Sequence, residues 1–142
     1  MTLGGNKVFL DTNIWVYAAD ASDLTKMVAA RQLVNRVRLE NRIVVSVQSL
    51  GEFCNVTTRM YKRDFSKVWT ALKMLEGFEV VSADAETIAF ALDIAEKHKI
   101  AFWDAMLVAT ASEAGCTTLY SEDLNHNQVI SGVKIMNPFI EE

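Results

Sequence analysis

Residues 7–13, KVFLDTN, hold the two signals from which the fold can be read. Val8, Phe9 and Leu10 form the short continuous apolar run of a strand buried on both faces. Asp11, Thr12 and Asn13 are residue types favoured where a helix starts, because their side chains accept from the orphan N–H groups of its first turn. The stretch therefore predicts a strand, an acid at its carboxyl end, and a helix.

The rest of the chain repeats that order. RIVVS (42–46), FEVV (78–81), TTLY (117–120) and VKIM (133–136) are further β-rich runs with helical patterns between them. Residues 25–39 place Met27, Ala30, Val34 and Val37 on one helix face, and residues 84–98 do the same with Ile88, Leu92 and Ala95. Apolar strands separated by helices predict an α/β protein: a parallel-stranded sheet sandwiched by helices, joined by right-handed crossovers in a Rossmann-like α/β/α arrangement. No repeat, low-complexity tract or linker interrupts the 142 residues, and the one proline, Pro138, comes near the end, so 1–142 reads as a single domain.

Composition excludes other classes. With 51% hydrophobic and 23% charged residues the chain fits a packed soluble domain, and one of this length buries roughly two thirds of its unfolded surface. No apolar run approaches the roughly 20 residues of a membrane span, and MTLGGNKVFLD lacks the charged-then-apolar order of a secretory signal, so a cytoplasmic protein with no membrane partner is expected. Cys54 and Cys116 lie far apart without C-x-x-C spacing, which argues against zinc or a disulfide framework. Both read as small buried apolar residues.

In open α/β sheets the ligand crevice lies beyond the carboxyl ends of the strands. Carboxylates recur there. Asp11 ends the first run, Asp123 follows TTLY in SEDL, Glu52 lies on the helical run VQSLGEFCNVTTRMY just after RIVVS, and Asp104 opens the apolar run FWDAMLVATASEAGC (102–116). At an effective dielectric of about 20, two carboxylates about 5 Å apart repel by roughly 3 kcal/mol, so four together need a counter-charge. An all-oxygen set suits Mg²⁺ or Mn²⁺. Each residue alone also has a plain structural reading: Asp11 or Asp104 as a helix cap, Glu52 as a solvated helix residue, SED as a turn. Gly51, inside a helical pattern, marks either a close approach of backbone or substrate or a packing contact.

FLDTNIWVYAAD, SVQSLGEF, FWDAMLVATASEAGC and LYSEDLNH, in that order and nearly end to end, resemble the PIN-domain family, specifically its VapC-type ribonuclease toxins. The resemblance implies a PIN-like fold and Mg²⁺- or Mn²⁺-dependent hydrolysis of RNA phosphodiester bonds. The family's acidic cluster falls on Asp11, Glu52, Asp104 and Asp123, with Asp11 and Asp104 as the favoured direct ligands. Asn13 and Ser121 match supporting polar positions; Asn13 is expected to hold Asp11, and Ser121 to bond a carboxylate or water. A homodimer paired with a separately encoded antitoxin is implied as well. The family often has glycine where Asn127 stands, and asparagine tolerates the same left-handed turn.

Charge is uneven despite the net −4: residues 26–73 hold ten Lys or Arg against three acids. Within RMYKRDFSK, Arg59, Lys62, Arg63 and Lys67 interleave with Tyr61 and Phe65, which suits phosphate guidance and base stacking, a solvated helix pair, or antitoxin docking. His98 reads as a surface residue ending a helix, and His126, close to the acids in sequence, as a loop histidine, with RNA contact as the alternative. Rival functions fit less well. A haloacid-dehalogenase-like phosphatase needs a second Asp where Asn13 stands, and a receiver domain needs an acid beside Asp11 and a lysine after the last strand, whereas Lys134 lies within one. A non-cleaving PIN-like protein that binds RNA or a partner is the remaining alternative, opposed by the intact acids.

Overall fold

A computed structural model of the chain describes residues 5–140. Six strands form one sheet: β1 (Lys7–Leu10), β2 (Arg42–Ser46), β3 (Glu79–Val81), β4 (Cys116–Tyr120), β5 (Val129–Ile130) and β6 (Val133–Met136). Their spatial order is β3-β2-β1-β4-β6-β5, and every pairing is parallel except that of β5 with β6. The helices are α1 (Thr12–Ala19), α2 (Leu24–Glu40), α3 (Val47–Met60), α4 (Phe65–Leu72), α5 (Ala85–His98) and α6 (Phe102–Glu113).

The period-two alternation of the strands divides the apolar residues between two cores. Val8, Leu10, Ile43 and Val45 point to one layer, where Ile14, Trp15, Ala30, Leu33 and Phe53 of α1–α3 meet them. Phe9, Val44, Leu119 and Ile135 point to the other, against Ala91 and Ile94 of α5 and Met106, Val108 and Ala109 of α6. The α/β sandwich expected from the sequence is thus present, with a mostly parallel sheet.

Four details differ from expectation. The short β5 has no counterpart among the strands that the sequence predicts, and it makes the last pairing antiparallel. FEVV supplies an edge strand, not one buried on both faces, and Val80 is 51% exposed. On α5 the buried stripe is Thr87, Ala91 and Ile94, while Ile88 and Leu92 face outward. Thr87 ties that stripe to the neighbouring helix: its Oγ1 donates to Glu113 Oε1 of α6 at 2.5 Å, while it also closes a reciprocal cap with Asp84 at 3.0 and 3.1 Å. Ile88 then sits about 100° further round the helix. Finally, Cys116 is buried but Cys54 is only half-buried; both thiols are free. Asn127 adopts the left-handed backbone anticipated for it (φ 70°).

Candidate active site

From β1 the chain winds outward through β2 to β3, then crosses back to place β4 on the other side of β1. The carboxyl ends of β1 and β4 therefore flank the point where the winding reverses, the place at which such sheets bind ligands. A crevice of about 350 Å³ opens there. Asp11, Thr12 and Asn13 contribute from the β1–α1 junction, Gln48, Glu52, Asn55, Val56 and Arg59 from α3, Trp103, Asp104 and Leu107 from α6, and Asp123 from the loop after β4. The four sequence-predicted acids all line this one crevice.

Asp11 is both cap and crevice residue. Its Oδ1 accepts from the Thr12 N–H at 2.7 Å at the start of α1, and its Oδ2 accepts from Ser121 Oγ at 2.9 Å. Only 5% exposed, its carboxyl is raised to about 6: burial outweighs those two hydrogen bonds, and the charges of Asp123 and Glu52 push the same way. Asp104 is the third residue of α6, whose N-cap is Ala101, so it caps nothing. Partial burial, and then Asp123, raise its carboxyl above the usual range. The positive end of α6 favours a negative charge at this position.

The two outer acids are held by polar tethers. Glu52 accepts from Thr12 Oγ1 at 3.2 Å and from Gln48 Nε2 at 3.1 Å. Asp123 accepts from Asn13 Nδ2 at 2.7 Å, while its own N–H donates to Ser121 Oγ at 3.2 Å. Asn13 therefore holds Asp123 and not Asp11, because nearer donors already take both Asp11 oxygens. Ser121 links Asp11 to the β4 loop, a carboxylate partner of the kind expected for it.

No Lys or Arg among the described residues forms an ion pair with any of the four acids. Nor, among the described residues, do three or more His, Cys, Asp or Glu stand ready-arranged around one metal position. The tethers instead keep Glu52 and Asp123 on separate partners. The donor chemistry nevertheless fits a hard cation: every candidate ligand is an oxygen, Asp11 carries a buried charge without a counter-ion, and exposed Glu52 and Asp123 have room to turn inward.

The basic segment divides. Arg59 lines the crevice, but Lys62 and Arg63 form the α3–α4 turn with left-handed backbones (φ 53° and 65°). Arg63 lies 6.0 Å from the Phe65 ring. Tyr61 is half-buried and donates to Ala19 O at 3.0 Å, so its hydroxyl is already engaged. Lys67 lines a separate cavity of about 410 Å³ with Ala19, Arg31, Tyr61, Ala71 and Met74. His126 accepts from the Asn137 N–H through Nδ1 at 2.9 Å, and so ties its loop to the chain after β6. Gly51 is exposed, and a Cβ there would meet nothing within 4 Å, so no packing contact accounts for it. Sequence reading missed Thr12 and Gln48 as donors to Glu52, and Trp103 as part of the crevice. One signal was available: Gln48, Glu52, Asn55 and Arg59 recur at helical spacing on one face of α3.

Beside the crevice, Glu122 is treated differently. It accepts from the Tyr17 hydroxyl and pairs with Lys26 Nζ at 2.9 Å, and that ammonium lies 4.5 Å from the Tyr17 ring centroid. Burial would raise the Glu122 carboxyl, but Tyr17 and Lys26 prevail and hold it below the usual range.

The PIN domain family model matches residues 8–130. No curated protein matches the chain by sequence. Several solved structures share the fold. A DNA-bound VapBC from Salmonella typhimurium is 16% identical with a TM-score of 0.69, over 94% of this chain and 99% of that one. A toxin-antitoxin complex from Klebsiella pneumoniae is 20% identical with a TM-score of 0.66, over 93% and 98%. Mycobacterium tuberculosis VapC20, a sarcin-ricin loop cleaving toxin, is 19% identical with a TM-score of 0.63, over 79% and 86%.

Proposed function

This chain belongs to the PIN domain family, and from that premise we propose that it is a Mg²⁺- or Mn²⁺-dependent endoribonuclease, the toxin of a toxin-antitoxin pair. The observation that carries the reading is the meeting of Asp11, Glu52, Asp104 and Asp123, from four separate parts of the chain, in one crevice where none has a cationic partner among the described residues. Asp11 and Asp104 would hold the ion, with Glu52 and Asp123 completing the set directly or through water. When bound, a divalent ion supplies neutralisation of the crowded carboxylates and of the attacked phosphate, and lowers the pKa of a water.

The chain's own residues do the positioning. Ser121 and the Thr12 N–H fix the two Asp11 oxygens, so that this carboxylate needs little reorganisation. Asn13 fixes Asp123, and Thr12 and Gln48 fix Glu52. Arg59, on the same α3 face as Glu52, offers a guanidinium to RNA phosphate. Lys62 and Arg63 stand outside the crevice lining, in the left-handed turn after α3, so Arg59 carries the phosphate contact for this basic segment.

An antitoxin partner is supported by the second cavity, whose apolar lining of Ala19, Ala71 and Met74 is flanked by Arg31 and Lys67, a surface for a peptide with apolar and acidic residues. The outward Ile88 and Leu92 supply exposed apolar surface for a homodimer. No helix of the described residues is long and apolar enough to cross a membrane.

Expression of the chain alone should arrest growth, and Asp104→Asn should relieve the arrest at equal protein level. Co-expression of a small gene immediately upstream should protect cells that express the parent chain. Arrest that persists in Asp104→Asn, or a purified parent that cuts no RNA with either ion, would refute the reading.

A further inference from the structure

We propose that Trp103 is a base-stacking platform for a nucleotide beside the scissile phosphodiester, and that it makes the crevice select unpaired RNA. The inference rests on the nuclease reading and adds a specificity-determining residue to it. Trp103 directly precedes Asp104 on the first turn of α6, so the backbone places an indole ring next to a crevice carboxylate. It remains 63% exposed, whereas Trp15 is 1% exposed in the core. Phe102 meets the indole edge-on, with ring centroids 5.2 Å apart and planes at 75°, a contact that restrains the ring without covering it.

The surroundings suit a nucleotide. Leu107 from α6 and Val56 from α3 give the same crevice an apolar portion, and Arg59 adds a cation for the phosphate that any stacked base carries with it. Acids that hold a cation for the sugar-phosphate chain would not by that role tell a paired base from an unpaired one. The indole does. A base within a duplex has both faces covered by its neighbours, and only an unpaired or splayed base can lay a face on a protein ring.

The test uses a single-stranded RNA oligonucleotide and the same oligonucleotide annealed to its complement, with Mn²⁺ present. Trp103→Ala should raise KM for the single strand by about tenfold, within the range supplied by stacking one base on an aromatic side chain. The kcat should fall less, and Trp103→Phe should stay within about threefold of the parent, since it keeps a ring. Trp69→Ala, which removes an equally exposed indole on α4 outside the crevice, should change neither constant. In a Trp69→Phe background the single strand should quench Trp103 emission and the duplex should not; this readout does not depend on the folding of the alanine variant. Equal KM for Trp103→Ala and parent, or equal quenching by single strand and duplex, would overturn the proposal. If the parent cleaves RNA while Trp103 neither quenches nor alters KM, the stacking role fails and the nuclease reading stands. If the parent cleaves nothing yet the single strand quenches Trp103, the stacking role holds and the hydrolytic reading fails.

Discussion

Glu122 and Asp123 are neighbours in the chain and stand in opposite electrostatic surroundings. Glu122 turns towards Lys26 and Tyr17, which neutralise it and hold its carboxyl low. Asp123 lines the crevice with Asp11, Glu52 and Asp104, where the partners are neutral amides and hydroxyls and burial drives Asp11 up to about 6. The fold can evidently place an ammonium against a carboxylate within a few ångströms of this loop. At the crevice it does not: Arg59 lines the same crevice but forms no ion pair with any of the four acids. A protein that leaves buried negative charge without an internal cation loses stability by doing so, and such sites are characteristic of bound ions or of catalysis.

The largest expected consequence is in the chemistry. Asp11→Asn and Asp104→Asn should each slow RNA cleavage by at least about 100-fold, the scale seen when one charge-stabilising group is removed from an active site. Glu122→Gln should leave the rate within about tenfold of the parent, because its charge serves the loop and not the crevice. A fluorogenic RNA assay at saturating Mg²⁺ compares all three. If Glu122→Gln were as inactive as Asp104→Asn, the two regions would not be functionally distinct.

Next in size is a stability effect of opposite sign in the two regions. In the folded protein Asp11 is raised from 3.8 to about 6, so without metal the native state binds its proton more tightly than the unfolded chain does. The penalty is absent below pH 3.8, grows as pH rises through this window and is complete above about 6, where it reaches roughly 3 kcal/mol. Asp11→Asn keeps a side chain suited to capping α1 and should stabilise the metal-free protein by about 2 kcal/mol at pH 8, with no gain at pH 4. Denaturant unfolding in EDTA at both pH values measures this. A mutant less stable than the parent at pH 8 would mean that capping is the whole role of Asp11.

The smallest effect is expected at Glu122. Its lowered carboxyl contributes stability above the unfolded carboxylate range, which is lost as pH falls through the folded value. Glu122→Gln should therefore destabilise by about 1 kcal/mol at pH 7, a difference that vanishes in acid. The same unfolding curves report it, and a pH-independent loss would assign the effect to packing against Tyr17.

Much of this was legible in sequence because it rests on local patterns. The apolar runs at 7–10, 42–46 and 133–136 fall on β1, β2 and β6 with the bounds expected, and the acids that follow the strands meet because parallel strands send their carboxyl ends to one edge. What stayed hidden depends on tertiary choice. Ile88 and Leu92 look like core, since periodicity gives a stripe but not which of two apolar stripes turns inward; packing of Thr87, Ala91 and Ile94 towards α6 decides that. β5 is two residues long, too short to show an alternation. Asn13 finds Asp123, 110 residues away, rather than Asp11 nearby, because Ser121 arrives from β4 to take the free Asp11 oxygen. Likewise, the split of Arg59 from Lys67 depends on the left-handed turn at Lys62 and Arg63.

Metal-dependent thermal unfolding examines the contrast between the two regions most directly. The melting temperature of the parent, Asp11→Asn and Glu122→Gln would be followed at pH 8 in EDTA and then with rising Mn²⁺ or Mg²⁺. A cation that binds only the folded crevice stabilises by mass action, so the parent should melt higher with each increment of ion, and at an ion concentration about 100 times the dissociation constant it should gain about 2.7 kcal/mol. Glu122→Gln should start lower and rise by the same amount. Asp11→Asn should start higher than the parent in EDTA and rise little or not at all. Equal metal-induced shifts in all three proteins, or none in any of them, would contradict the assignment of the crevice as the metal site.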